Sequence, residues 1–207
     1  MNTDESVFEQ TYRGYLSQIA DIDLSQRADR LGGRFSHQAL EVVSFGKPYR
    51  ISHRGITSSS GAPAPFSVCV ILAKYMLMCP PAVPVAGPWT AFKDFKDAGP
   101  LVVYYANNVE KRLTQAFSGR LQQLQRAAEI LGAQSITQSF SHDAAFEFSA
   151  LPRLPVLLLF NDTDDEFKAQ CSVLLRRSAE RFLDMESVAM VGSVLTDLLL
   201  KQSPKEC

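Results

Sequence analysis

No two of the four cysteines stand in a C-x-x-C pair, so the chain lacks the local signature of a zinc ribbon or a redox dithiol. Cys69, Cys79, Cys171 and Cys207 are scattered, the pattern of buried free thiols in a reducing compartment. An excess of one charge is missing too. Lys and Arg number 21 against 22 Asp and Glu, a formal net charge of -1, which gives no global basic field for nucleic acid or an anionic membrane. The longest apolar runs, near 68–79 and 154–160, are too short to span a bilayer. The opening MNTDESVFEQTYRGY is polar and acidic, with no apolar core of a secretory leader, so a cytoplasmic protein is expected. No G-x-x-x-x-G-K-[ST] or G-x-G-x-x-G phosphate cradle is present, which weighs against a nucleotide-dependent enzyme. The G-x-S-x-G elbow of a serine nucleophile is missing as well, and no base stands beside Ser58, Ser59 or Ser60 in sequence.

What remains has the makings of an ordinary core. Hydrophobic residues make up 46% and charged residues 21% of 207, enough for one domain over 1–207. Residues 5–20 place Val7 or Phe8, Tyr12, Tyr15 or Leu16, and Ile19 at helical spacing. Asp23 is placed to cap LSQRADRL, which Gly32 and Gly33 stop. ALEVVSFGKPYRIS then gives two strands around Gly46-Lys47-Pro48, and SSSGAPAP a flexible loop. FSVCVILAKYMLMC is apolar nearly all round and predicts a buried helix ending at Pro80-Pro81. Trp89, Phe92 and Phe95, spaced by three, suit one face of a helical turn. From Pro100 a long helix is expected, with Leu101, Tyr105, Val109, Leu113 and Phe117 as an i, i+4 stripe, followed by a second helix to Leu131.

The period changes after Gly132. SITQSF, AAFEFSAL, PVLLLF and EFKAQCSVL read as four successive strands, and their short links favour antiparallel neighbours. Two helices, LRRSAERFL and ESVAMVGSVLTDLLL, close the chain before a fraying tail, KQSPKEC. Helices gathered in about 66–132 and strands in about 134–173 predict an α+β fold, a C-terminal antiparallel β-meander packed with helices.

The acid-rich turn NDTDDE admits three readings: a solvated hairpin turn, an acid–base or weak cation site, or a patch for a partner. A calcium loop is excluded. Counted from Asp162, its sixth and twelfth positions hold Phe167 and Val173, not Gly and Glu. His37, His53 and His142 stand apart from one another. Trp89, Phe92, Phe95, Tyr104 and Tyr105 concentrate enough aromatic surface to wall a pocket for a flat cofactor or apolar ligand, or to pack as core. Arg153, held between two prolines in LPRLP, is placed either to clamp an anion or to pair with the acidic turns. No metal ligands and no cofactor are indicated by spacing.

GPWTAFKDFKDAGPLVVYY resembles a G-x-W-x-x-F-x-x-F motif followed by a glycine and a tyrosine-bearing segment. ALPRLPVLLLFNDTDDEFKAQCSVLLRRSAERFLDME resembles LPR-x-P, an apolar strand, an acidic turn ending in D-E-F, and a closing amphipathic segment. Together they resemble a bacterial and archaeal family of domains of unknown function, found largely in anaerobes, of roughly this length. Some members are linked to iron–sulfur proteins of corrinoid and one-carbon metabolism. The resemblance implies a loose tie to that metabolism and no defined activity. Two departures stand out: Thr163-Asp164 replaces a usual Gly-Asp, and Leu174-Leu175-Arg176 replaces Leu-Phe-Asp. Closely spaced cluster cysteines are absent, which argues against cluster binding here. The part of the turn that matches is Asp165-Glu166-Phe167, making Asp162 and Asp164 the expendable acids.

The leading expectation is therefore an accessory or binding protein that holds a small ligand or a protein partner, with Trp89, Phe92 and Arg153 as candidate contacts. The alternative is an enzyme with Asp165 and Glu166 as acid–base pair and Arg153 as anion clamp. A structural subunit would instead show an exposed apolar patch, for which Val188, Val191 and Leu195 on the last helix are candidates.

Overall fold

The computed structural model describes residues 3–202, with side chains from Glu9 onward. The side chains of Val7 and Phe8, and the tail from Ser203 to Cys207, lie outside the described residues. Helix α1, Thr3–Ala20, buries Ile19 and presents Tyr12, whose hydroxyl accepts the Ile56 N–H at 2.7 Å. Helix α2, Leu24–Leu31, begins as expected. The Asp23 carboxylate takes the N–H groups of Ser25 and Gln26 at 2.9 and 3.4 Å, and its hydrogen bond from the Ser25 side chain, with these two, holds its pKa down. The helix ends at Gly32 in the left-handed region, φ 67°.

Four strands follow in an antiparallel meander: β1 Arg34–Ser36, β2 Ala39–Ser44, β3 Lys47–Ser52 and β4 Gly55–Ser58. The sequence signals only the two central strands, because RFS and GITS are too short to show alternation. The central turn is Phe45-Gly46, with φ of 46° and 74°, one residue earlier than expected. Two positive φ values match the right-handed twist of a two-residue hairpin. The Phe45 N–H faces the Ser149 and Ala150 carbonyls, each at 3.2 Å, and so ties this sheet to the second one.

Helix α3, Phe66–Leu77, is buried along most of its length, as its apolar composition requires. The segment after it ends in a short strand, β5 Trp89–Ala91, and a 3₁₀ turn, Phe92–Asp94. Trp89 and Phe92 thus do not share a helical face. One continuous helical stretch then comprises α4 Val102–Tyr105, a π-helical segment Ala106–Glu110, and α5 Lys111–Phe117. Helix α6, Leu121–Ile130, follows.

The C-terminal strands are β6 Gln134–Ser135, β7 Ala144–Leu151, β8 Leu154–Asn161 and β9 Gln170–Arg176. All neighbours are antiparallel, and β5 joins at the edge, giving the order β5-β9-β8-β7-β6. The fold is α+β, with a C-terminal meander packed with helices. Outside 134–173 the strands number more than the two expected around Gly46: β1, β4 and β5 lie there as well. LRRSAERFL is not an α-helix either. Its first two residues, Leu175 and Arg176, end β9, and the next two pair with the 86–88 segment, through Arg177 N–H to Pro88 O at 3.0 Å and Ser178 N–H to Ala86 O at 3.1 Å. Only a 3₁₀ turn, Arg177–Arg181, remains.

Alternation decides the faces of the five-stranded sheet. Phe146, Phe148, Val156, Leu158, Phe160 and Val173 point to the main core, shared with the helices. Ala145, Leu157 and Leu159 form a small cluster on the other face, against Trp89, Ile136, Phe140 and Leu174. Helix α7, Met185–Gln202, closes the main core. Its Val188, Val191 and Leu195 are fully buried, so they form no exposed patch. Among the described residues no helix is long and apolar enough to cross a membrane.

Candidate functional site

The stripe Leu101, Tyr105, Val109, Leu113, Phe117 repeats every four residues. An α-helix turns about 100° per residue, so each step of four overshoots by about 40°. A regular helix would swing the end of such a stripe far from its beginning. The π-helical turn at Ala106–Glu110 absorbs part of that drift, and Tyr105, Val109, Leu113 and Phe117 all remain buried in one core. Helical segments of this kind recur at functional sites. Here the bulge ends on a glutamate.

Glu110 is half-buried, and its Oε1 accepts the Val173 N–H at 3.1 Å. The Tyr105 hydroxyl, fully buried, donates to the Val173 carbonyl at 3.3 Å. The reason lies in β5. It pairs with β9 only over Leu174–Arg176, so the edge of β9 below that point has lost its strand partner. Two side chains from the helical stretch serve the exposed peptide groups in its place. No other hydrogen bond to the Glu110 carboxyl is made among the described residues, and Oε2 is not enclosed.

A cleft of about 240 Å³ opens there, lined by Phe92, Lys93, Val102, Tyr105, Glu110 and Ser172, with Ala91 and Ala106. Phe92 and Tyr105 stack face to face on its floor, with centroids 4.2 Å apart and planes at 5°. Burial pushes the Glu110 carboxyl above its usual pKa, while the Val173 N–H and the Lys93 ammonium pull the other way. Burial, and then the field of Glu110, raise the Tyr105 hydroxyl and the Cys171 thiol, so both stay protonated at neutral pH. Such a thiol is a poor nucleophile. The arrangement offers an aromatic floor, one carboxyl of raised proton affinity, one ammonium and one hydroxyl. It suits a small ligand with a polar end, or proton exchange with one.

The residues singled out from sequence fall in different places. Phe92 lies in this cleft. Trp89 lies on the opposite face of the sheet, with the Arg176 guanidinium 3.9 Å from its ring centroid. Arg153 lies away from both, and it makes no ion pair among the described residues. Its Nη2 donates to Asp29 O at 2.8 Å and its Nε to Arg30 O at 3.3 Å, while Tyr75 donates to Leu31 O at 2.8 Å. Together they satisfy the last carbonyls of α2.

In the acidic turn the weight falls opposite to the expectation. Asp162, expected to be expendable, accepts Gly119 N–H at 2.6 Å and Leu121 N–H at 3.3 Å, capping α6 from a distant strand. Asp164 accepts Glu166 and Phe167 N–H at 2.8 and 2.6 Å; these bonds, the Phe167 one foremost, lower its pKa. Asp165 and Glu166 are exposed. A concavity beside the turn is lined by Asp143, Asp162 and Asp164, not by them.

Sequence reasoning passed over Glu110, which carries no motif. The over-long i, i+4 repeat was its one available signal. Among the described residues, no three His, Cys, Asp or Glu gather to hold a metal ion.

No curated protein and no solved structure matches the chain. A family model does, over residues 23–198, a span that takes in everything from the cap of α2 to the last turns of α7, and with it the cleft. The chain therefore belongs to the family described as Domain of unknown function (DUF3786).

Proposed function

We propose that the protein is a binding protein, and that its ligand sits in the cleft at the β9 edge. The observation that carries this is the Glu110 carboxyl, which spends one oxygen on Val173 and lines a cleft together with the stacked Phe92 and Tyr105. The volume, about 240 Å³, lies below the range of roughly 300–1,000 Å³ that encloses drug-sized ligands. A small molecule fits, with an unsaturated or apolar body over Phe92 and Tyr105, a donor toward Glu110 and an acceptor toward Lys93. Of the residues expected from sequence, Phe92 stays in this reading; Trp89 and Arg153 leave it. The apolar cluster running from Ile19 to Leu199 supports treating the chain as one domain.

A second reading, proton transfer by Glu110, rests on its raised pKa, since a carboxyl poised above its usual range suits general acid–base work. The pairing of Asp165 and Glu166 with Arg153 gains no such support, because the acids face solvent and the arginine is held by α2.

A fragment screen read by ¹H–¹⁵N correlation spectra on the full chain tests the proposal. Fragments that shift Lys93, Ala106, Glu110 and Ser172 amides, and lose affinity in Glu110→Ala, are expected. A screen whose binders all act elsewhere sinks the assignment.

A further inference from the structure

Alternate turns of a meander lie at the same end of its sheet. The β1–β2 turn, His37-Gln38, and the β3–β4 turn, His53-Arg54, are therefore neighbours. Both residues of the first turn hold positive φ, 46° and 58°, as a tight two-residue hairpin demands. Between these turns the outward face of the sheet carries Arg50 and Thr57, paired across β3 and β4, with Ser52 one step along β3. These groups line an open basin of about 290 Å³ that includes no acidic side chain.

Arg50 gives the basin its chemistry. The nearest carboxylate is Glu41, its cross-strand neighbour on β2, whose Oε1 stands 3.8 Å from Arg50 Nε. That separation makes an ion pair and not a hydrogen bond. The Glu41 carboxylate is partly engaged elsewhere, accepting the Ser36 hydroxyl at 3.0 Å. Arg50 Nε is buried and has no hydrogen-bond acceptor. The side chain as a whole is 42% exposed and lines the basin, so its terminal N–H groups are the ones that can reach a ligand there. Arg54 and the exposed His37 and His53 make no side-chain hydrogen bond among the described residues; the Arg54 peptide N–H is fixed to Ser52 Oγ at 3.2 Å. Two guanidinium groups thus line one basin, only Arg50 having a carboxylate partner among the described residues, with the Thr57 hydroxyl and two imidazoles around them. That is the donor set that an oxyanion of more than one charge recruits.

We propose that this basin binds the phosphate group of a small molecule, either inorganic phosphate or a phosphate monoester, with Arg50 as the principal donor and Arg54, His37 and His53 closing around it. The proposal does not rest on the Glu110 cleft.

The test is a titration of the ¹⁵N-labelled full chain with inorganic phosphate, with glycerol phosphate and with acetate, each at constant ionic strength. Saturable shifts of the His37, Gln38, His53 and Arg54 amides are expected for both phosphates, with Kd of roughly millimolar order for the inorganic ion. Acetate should bind at least tenfold more weakly. Tighter binding of glycerol phosphate than of inorganic phosphate assigns the site to a phosphorylated metabolite; the reverse order assigns it to the free ion. Arg50→Gln should weaken binding about tenfold or more, a loss equal to about 1.4 kcal/mol. Arg54→Gln, at an exposed position, keeps the test valid if the Arg50 variant unfolds, and should weaken it several-fold. Glu110→Gln should leave it unchanged. Shifts that never saturate, acetate binding as tightly as phosphate, or undiminished binding in Arg50→Gln/Arg54→Gln each overturn the proposal.

Discussion

Replacing Glu110 separates its hydrogen bond from its charge. Glu110→Ala leaves the Val173 N–H without the acceptor now 3.1 Å away. An orphaned, part-buried donor costs about 1–3 kcal/mol, less whatever is recovered by removing a desolvated charge. At about 2 kcal/mol the midpoint of thermal unfolding falls by roughly 4–8 °C in a chain of this size. Glu110→Gln keeps an acceptor oxygen and removes the charge. The sign with pH follows from the raised pKa, whose main cause is burial. A carboxyl that binds its proton more tightly when folded adds stability below its unfolded pKa, near the ordinary value of 4.5. That contribution is lost as pH rises through the folded pKa. At pH 7 the Gln variant should therefore match or exceed the parent. Between pH 7 and pH 4 the parent should gain on the Gln variant. Denaturant unfolding of parent, Ala and Gln variants across pH 4–8 measures all three. Equal stability of Ala and Gln variants at every pH, or a parent-to-Gln difference that does not move with pH, would refute the reasoning.

Two further outcomes can be checked by thermal melts. Asp162→Ala should cost about 0.5–2 kcal/mol, because it uncaps Gly119 and Leu121 at the start of α6, whereas Asp165→Ala and Glu166→Ala should stay within about 0.5 kcal/mol of the parent. Equal losses in all three would show that the turn acts through its net charge alone. Gly192→Ala places a Cβ 2.7 Å from Tyr105 Cε2 and 2.9 Å from its hydroxyl, and the Tyr105 ring is fully buried. It should cost about 1–3 kcal/mol and disturb the Phe92–Tyr105 stack, visible in near-ultraviolet circular dichroism; an unchanged spectrum with full stability would mean that Tyr105 yields freely.

Local chemistry wrote much of this fold into the chain. The Asp23 cap, the Gly32 stop, the apolar α3 and the β7–β9 meander follow from spacing and turn residues, because each depends on neighbours a few positions away; SITQSF, expected as a strand, is instead a 3₁₀ turn, Thr137–Ser139, after a two-residue β6. The α+β class was legible for the same reason. Strands β1, β4 and β5 were not, since three or four residues carry too little pattern and acquire their conformation from the strand beside them. Trp89 and Phe92 show the consequence. A spacing of three predicts a shared helical face, and pairing of Trp89 with Arg176 sends the two rings to opposite sides of a sheet.

The candidate sites depend still more on tertiary contact. Glu110 meets Val173 across 63 residues of chain, and Asp162 reaches Gly119 across 43. Arg153, placed by its sequence either to clamp an anion or to pair with the acidic turns, is bonded to the end of α2, more than 120 residues away in the chain. Sequence alone determined the longer helices and strands, and which acids and aromatics are available. Only the tertiary structure decided which backbone groups lack a partner and which of those side chains serve them. The reason is that an edge or a helix end is exposed or satisfied according to what packs beside it, and that neighbour comes from elsewhere in the chain.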